Sequence, residues 1–392
     1  MRSGSTRREF IRHAALAGAA IGLAGLTPPL VRRAWSLDPV AGADALKVLI
    51  LGGTGQTGPH LIEELVRRGH TVTMFNRGTR SEELFPAVEC LIGDRQPEPG
   101  DGLKALAEAV AGGRSWDICI DIWPQIPKIV ENTAVLLKEH VGHYMFVSSI
   151  SVYVDFATPG ADETSPVGQA PDADDTAYTD ELFGPFKAEC ENRVRRHYPD
   201  NHTIFRPGLI VGPRDASFRG GYWPVRVRRG GEVLAPGDGT TAVQIIDGRD
   251  LTAFEVLCME RRTGGTFDVT GPHPSSPLTM RGLLETCREV SASDAAFVWA
   301  DTTFLDAQGV GPWRDLPCWL PGDGDTAGFG KRSLARATGA GLTYRPLSDT
   351  VRDTLAWYDG LPAERREAVA KRAGLTPERE AEALKAWHLA HG

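Results

Sequence analysis

An α/β fold, with a doubly wound parallel sheet and a smaller mixed C-terminal lobe, is what this sequence predicts, on three observations. The short apolar runs 48–51 and 116–122 read as buried strands, the second on both faces, and 88–92 and 144–148 read as further strands. Segments of helical periodicity alternate with them, as in parallel sheets. The first strand and the first helix are joined by Gly52-Gly53-Thr54-Gly55-Gln56-Thr57-Gly58, a glycine-rich turn in the context that suits a phosphate.

The first unit runs from Val48 to Arg77. Val48–Leu51 is the strand, His60–Arg68 the amphipathic helix, and Gly69 its stop; Thr71–Phe75 is the second strand. Gly52 and Gly55 are expected to allow a tight turn and close approach to a pyrophosphate, and Gly58 to let the helix lie against the strand. With Thr54, Gln56 and Thr57 they form the expected cofactor-binding loop; a bare strand-to-helix turn is the competing reading. An acidic residue closing the second strand would hold ribose hydroxyls and favour NAD. This chain has Asn76-Arg77 there, with Arg80 nearby. That chemistry suits a 2′-phosphate, so NADP is expected and NAD is the alternative, unless the arginines are only solvated loop charges.

The third strand, Val88–Ile92, ends at Gly93-Asp94, and Asp94 would either hold an adenine amino group or cap a turn. A helix over 103–110, strand Trp116–Ile122, a helix over 126–140 and strand Tyr144–Ser148 follow, the last opening into Ser148-Ser149-Ile150-Ser151-Val152-Tyr153. Residues 155–178 read as a long loop, a segment type that is usually functional. A helix containing Lys187–Arg196 and strand His202–Phe205 complete the pattern before Arg206-Pro207-Gly208. Beyond 213 the sequence predicts helix Tyr222–Arg229, a brief strand between the turns at 230–231 and 236–237, strand Val243–Ile246, helix Leu251–Arg261 capped by Asp250, strand Thr266–Val269, helix Met280–Ser291 capped by Thr279, strand Phe297–Trp299, and tail helices at 348–358 and 377–389. The expected division is an N-terminal segment 1–43, a nucleotide-binding domain 44–213, a substrate lobe 214–360 interwoven with it, and a helical tail 361–392.

Composition is ordinary for a large globular chain: 392 residues, 41% hydrophobic, 24% charged. The N-terminus is different. Thr6-Arg7-Arg8-Glu9-Phe10-Ile11-Arg12, the Ala/Gly/Leu-rich run 14–26 and Ala41-Gly42-Ala43 resemble a twin-arginine (Tat) export signal with a cleavage site, an uncleaved anchor being the alternative. The expected partner during export is the Tat machinery, and the expected location is the periplasm or the extracellular space. Cleavage would remove six of the 43 bases and two of the 51 acids, leaving a net charge near −12. Such a surface repels nucleic acid. The six cysteines, at 90, 119, 190, 258, 287 and 318, show neither CxxC nor zinc spacing, so free thiols and no metal site are expected. Export of a folded protein away from the NADP supply implies a cofactor held tightly and regenerated within each turnover.

The ordered motifs GGTGQTG, WDICIDI, FVSSISVY, FGPFK and FRPGLIVGP resemble the extended short-chain dehydrogenase/reductases, and within them the NAD-dependent epimerase/dehydratase branch, over roughly 47–360. The resemblance implies a Rossmann sheet with a substrate lobe, a small hydroxyl or carbonyl substrate such as a sugar, and in many relatives a homodimer. It implies Ser149 as the catalytic serine, Ser151 as a neighbouring hydroxyl, and Lys187 as the lysine that holds the nicotinamide ribose and lowers the pKa of a tyrosine four residues earlier. That tyrosine position is Phe183, because Y-G-x-x-K stands here as F-G-P-F-K. A phenyl ring has no proton to exchange, and losing a positioned acid/base costs on the order of 10²–10⁴ in rate. Tyr178, Tyr153 and Tyr222 are candidate substitutes, each with a packing role as its alternative. Trp223, Trp299, Trp313 and Trp319 suit flat ligands or core; Arg206 and Arg249 suit an anionic substrate or structural ion pairs. A binding protein that keeps the nucleotide site without turnover is the second functional reading, and an RNA-binding relative, weakened by the acidic charge, the third.

Overall fold

A computed structural model describes residues 44–96, 102–122, 124–171, 178–272 and 275–391. The export-type segment 1–43 and positions 172–177 of the long loop lie outside the described residues. Seven parallel strands form the central sheet: β1 (Lys47–Leu51), β2 (Thr71–Asn76), β3 (Glu89–Ile92), β4 (Trp116–Asp121), β5 (Val141–Val147), β6 (His202–Pro207) and β7 (Gly265–Val269). Their order across the sheet is β7-β6-β5-β4-β1-β2-β3. The order in which strands are added thus reverses at β1/β4, the switch point where open α/β sheets bind ligands. In register, Val48 lies opposite Val72 on one side and Ile118 on the other.

Alternation within each strand supplies two cores. Val48, Ile50, Met74, Ile118, Ile120 and Met145 face one side, where helices α1 (Gly58–Arg67) and α5 (Gly248–Arg261) bury Leu61, Ile62, Leu65, Leu251 and Phe254 against them. Leu49, Leu51, Phe75, Cys119 and Phe146 face the other, covered by α2 (Lys104–Ala111), α3 (Pro127–Leu137) and α4 (Phe183–His197) through Leu106, Val130, Leu137, Cys190 and Val194. This is why β1 and β4 read as apolar runs rather than alternating ones, whereas the edge strand β3 is exposed at Glu89 and Ile92.

The lobe has its own core around Trp223, Trp313 and Trp319, all buried, so these three rings are packing rather than ligand faces. Trp299 is only half-buried, with the Arg281 guanidinium 4.4 Å over its ring. Small sheets pair 232–236 with 296–300, 242–243 with 278–279, and 209–211 with 245–247. The expected single strand at 243–246 is therefore split between two partners, broken at Gln244, whose amide bonds the backbone of Arg332 in both directions. Asp247, not Asp250, caps α5, accepting from Arg249 N at 2.9 Å; Asp250 lies in the first turn and binds Arg345. Thr279 caps helix 280–291 as its sequence implies. The tail folds back on the body: Glu380 holds Arg226 and the backbone N–H of Leu234. Its helix 363–370 has no counterpart among the sequence expectations. All six cysteines are free, and among the described residues no helix is long and apolar enough to cross a membrane.

Candidate active site

The glycine turn is built by a different division of labour than its spacing suggests. Gly52 and Gly53 carry the left-handed conformations, with φ of 113° and 100°, whereas Gly55 does not. Gly55 instead faces open space, and a side chain there would meet nothing within 4 Å. Gly58 packs as expected: a Cβ would stand 2.4 Å from the Gly53 carbonyl group. The turn is braced from three sides. Asn76 donates to Gly52 O at 2.8 Å and accepts from Gly78 N and the Ser81 hydroxyl, so its side chain shapes the turn. Gln56 reaches Ile210 O at 3.1 Å, and Arg80 reaches Thr54 O at 2.9 Å. Thr57 is buried at the N-cap of α1 without a side-chain capping bond. Arg77 is exposed. Asp94 is also exposed, its carboxylate accepting from Gln96 N, the turn-capping option. One strong constraint went unread in the sequence: buried Asp121 is gripped by Arg95 through two bonds of 2.6 and 2.7 Å and by the Tyr144 hydroxyl at 2.9 Å. Nothing local to either residue signals that pairing.

Ser149 leaves β5 and caps a short turn, its hydroxyl accepting from Ser151 N and donating to the Ser151 hydroxyl, both at 3.1 Å. Lys187 is buried on α4 and donates to Val147 O at 2.6 Å and to Pro124 O at 3.1 Å, with Phe146 below it at 4.3 Å. Two of its three N–H groups are thereby fixed. Burial pulls its ammonium down to about 8. The start of α4 is pressed onto the serine turn, for a Cβ on Gly184 would lie 2.1 Å from Ser151 O. Ser149, Ser151, Phe183 and Lys187 thus come together at the C-terminal edge of the sheet. Phe183 opens the helix, with Pro185 inside the first turn where its missing N–H costs nothing.

The three substitute tyrosines fare differently. Tyr153 donates to Asp268 at 2.6 Å, accepts from Arg206 at 2.7 Å and is stacked between Arg206 and Arg332. Burial and the Asp268 carboxylate push its phenol up, away from acid/base work. Tyr222 is buried against Trp223 in the lobe core. Tyr178 is half-buried, its hydroxyl has no hydrogen-bond partner among the described residues, and burial and then Asp180 push its phenol up as well. Arg206 is structural: it grips Glu191 through bonds of 2.9 and 2.6 Å. Burial pushes Glu191 up, but Arg206 outweighs it and the carboxyl ends below its usual range. Arg249 is likewise committed, to Asp247 and Asp353.

The model of the NAD dependent epimerase/dehydratase family matches residues 48–270. The chain belongs to that family. A relative named 2-alkyl-3-oxoalkanoate reductase, from Stenotrophomonas maltophilia (strain K279a), is 30% identical over 259 residues, 61% of this chain and 74% of that protein. Chloroplast stem-loop binding protein of 41 kDa b from Arabidopsis thaliana is 27% identical over 263 residues, 63% of this chain; the match spans 64% of the plant protein's length. Among solved structures, UDP-glucuronic acid 4-epimerase from Bacillus cereus in complex with NAD superposes with a TM-score of 0.54 at 15% identity, covering 79% of this chain and 98% of that one. UDP-glucose 4-epimerase from Thermus thermophilus in complex with NAD gives 0.54 at 16%, covering 81% and 100%. At such identities the epimerase/dehydratase fold is what is shared.

Proposed function

We propose that this protein is an exported NAD(P)-binding enzyme of the oxidoreductase/epimerase type, acting on a sugar or another small hydroxyl or carbonyl compound, with NADP as its preferred cofactor. The observation that supports it best is the convergence of the Ser149–Ser151 turn and the Lys187 amine on one edge of the sheet, sealed by the Gly184 contact, beside a glycine turn that keeps open space at Gly55. The residues suit a dinucleotide. Gly52, Thr54, Gly55, Gln56, Thr57 and Gly58 would border the pyrophosphate, Asn76 and Arg77 the adenosine ribose, Asp94 the adenine, and Lys187 the nicotinamide ribose. When bound, the nicotinamide supplies a hydride acceptor or donor. Ser149, supported by Ser151, would orient the substrate oxygen, and Lys187, still mostly protonated near pH 7, would bind a ribose hydroxyl. Phe183 supplies no proton, which leaves Tyr178 or water for that task. A pocket of about 150 Å³ in the lobe, bordered by Thr240, Thr241, Gln244, Cys318 and Lys331, offers polar walls for a small ligand.

The second reading is a nucleotide-binding protein without turnover, favoured by one observation: the ring at position 183 is buried and carries no titratable group. Native mass spectrometry for a bound nucleotide, then cofactor absorbance against a panel of sugar nucleotides and small carbonyl compounds, separates the two. Phe183→Tyr should raise turnover by roughly 10²–10⁴ if the site is an enzyme short of its acid. Tyr178→Phe should abolish wild-type turnover if Tyr178 fills that role. Neither a redox change nor any isomerised or dehydrated product by NMR with any compound, in wild type or Phe183→Tyr, would rule out the enzyme and leave the binding protein. Release outside the inner membrane, a homodimer and cofactor retention through turnover belong to the same proposal; fractionation and sizing of the native protein test the first two.

A further inference from the structure

The lobe pocket of about 150 Å³ is bordered by Thr241 and Gln244, by Leu320 and by the turn 329–331. That turn is fixed in place. A Cβ on Gly330 would stand 2.3 Å from Ala242 O, and one on Gly328 would stand 2.3 Å from Thr158 O, so the segment is wedged between a lobe strand and the loop that follows the serine turn. Gly328 N donates to Phe156 O and Gly160 N to Lys331 O, both at 2.8 Å. The pocket is also tied to the reacting edge of the sheet. The Gln244 amide holds the Arg332 backbone in both directions at 3.1 Å. The Arg332 guanidinium lies 3.7 Å over the Tyr153 ring, and Tyr153 closes the turn that begins at Ser149.

We propose that this pocket takes the non-reacting end of a small, uncharged hydroxyl or carbonyl compound that carries no nucleotide, bound through the Thr241 hydroxyl. Size, charge and ring chemistry support it separately. A cavity of this volume takes a benzene-sized molecule, whereas sites for larger ligands run to ~300–1,000 Å³. Among the described residues that border it, Lys331 carries the one charge, and it is exposed. The neighbouring arginines are committed, Arg332 to Asp268 at 2.7 Å and Arg281 to Asp238 O at 2.7 Å. A diphosphate link calls for guanidinium forks that are free to meet it. The one aromatic ring among the described bordering residues, Phe329, is 7% exposed and packed against Phe156 at 5.5 Å and Trp313 at 5.4 Å, so it offers no face to a base. Of the three bordering threonines, Thr240 is tied to Asp238 at 2.6 Å and Thr326 to Asp323 O at 3.1 Å, which leaves the Thr241 hydroxyl for a ligand. The inference rests on the enzyme reading above and narrows its substrate to compounds free of a nucleotide carrier.

The test is a saturation-transfer NMR titration of the full chain, saturated with NADP, against hydroxyacetone, acetoin, cyclohexanone, lactate, UDP and UDP-glucose. The three ketones should bind, and lactate, UDP and UDP-glucose should not. Thr241→Val keeps the side chain's shape and removes its hydroxyl; it should weaken ketone binding about three- to tenfold, with NADP affinity and melting temperature unchanged. Binding of UDP or UDP-glucose to the NADP-saturated chain would overturn the inference. Lactate bound more tightly than acetoin would overturn the assignment to uncharged compounds, and ketone binding untouched by Thr241→Val would overturn the placement. If no ketone binds while NADP does, this inference falls and the nucleotide-binding reading stands. If neither NADP nor NAD binds, the reading beneath it falls first.

Discussion

Lys187 is a buried cation whose ionisation is coupled to folding, and the coupling has a sign and a size. The side chain is 3% exposed, and burial lowers the ammonium from its ordinary 10.5 to about 8. Its charge is therefore weakly screened by solvent. The unfolded chain holds this proton more tightly than the folded one, so between about pH 8 and pH 10.5 the unfolded state binds more protons and stability rises with pH. Below pH 8 the penalty is fully present, and the displacement corresponds to about 3 kcal/mol at pH 7. On going to about pH 9.5, about 2 kcal/mol of it should be recovered. Lys187→Met isolates the effect. It leaves the Val147 and Pro124 carbonyls without their donor at every pH, so that cost cancels when two pH values are compared. The measurement is urea unfolding followed by tryptophan fluorescence, for both proteins, at about pH 7 and about pH 9.5. The wild type should gain about 2 kcal/mol relative to Lys187→Met. Equal changes in the two proteins would mean that the amine is better solvated, or better paired, than its two carbonyl bonds imply.

Two glycines separate folding from binding. Gly55→Ala should leave stability within about 0.5 kcal/mol, because nothing surrounds the added methyl, yet weaken nucleotide affinity by filling the space beside the turn. Gly184→Ala should instead cost about 1–3 kcal/mol and lower the melting temperature, because the methyl collides with the Ser151 backbone; thermal melts with and without nucleotide read both. Glu255, buried in α5 with Oε1 unpartnered among the described residues, is pushed up to about 8 by burial. The folded state then holds that proton more tightly than the unfolded one, so stability falls as pH rises from about 4.5 to 8, and Glu255→Gln should flatten this slope in pH-dependent unfolding.

What the sequence made legible was local. Strands buried on both faces announce themselves as apolar runs, and Gly58 opens the first helix where the Gly53 carbonyl leaves no room for a Cβ. Ser149 and Lys187 were singled out as candidates because each lies inside a short ordered motif. What escaped was set by tertiary distance. The Arg95–Asp121 pair joins residues 26 positions apart, and Arg372 of the tail reaches the Ala216 carbonyl from 156 positions away. Composition cannot tell such residues from solvated surface charge. The cap of α5 was misplaced for a subtler reason: Asp247 and Asp250 both suit a helix start, and only Arg345, arriving from 95 residues away, occupies the second. Arg206 was ambiguous until Glu191, one helix away, claimed it.

The same long-range pairing explains how a lobe drawn from distant segments can form one wall of a site. Ser148 at the end of β5 donates to Glu191; Glu191 grips Arg206 on β6; Arg206 donates to Tyr153; Tyr153 donates to Asp268 on β7; and Asp268 holds Arg332 of the lobe at 2.7 Å. Every member is buried. Such a chain adds little net stability, since desolvating each charge offsets most of the attraction, and apolar side chains of equal volume would do as well. Its distinguishing property is directional. Each bond fixes an angle as well as a distance, and breaking any one strands a buried charge, so alternative placements of the lobe on the sheet are disfavoured. The segment it locks, Ser148 to Tyr153, is the one that carries Ser149 and Ser151. Tyr153 is therefore spent on holding the serine turn in place, which is why it does not stand in for the phenol missing at position 183.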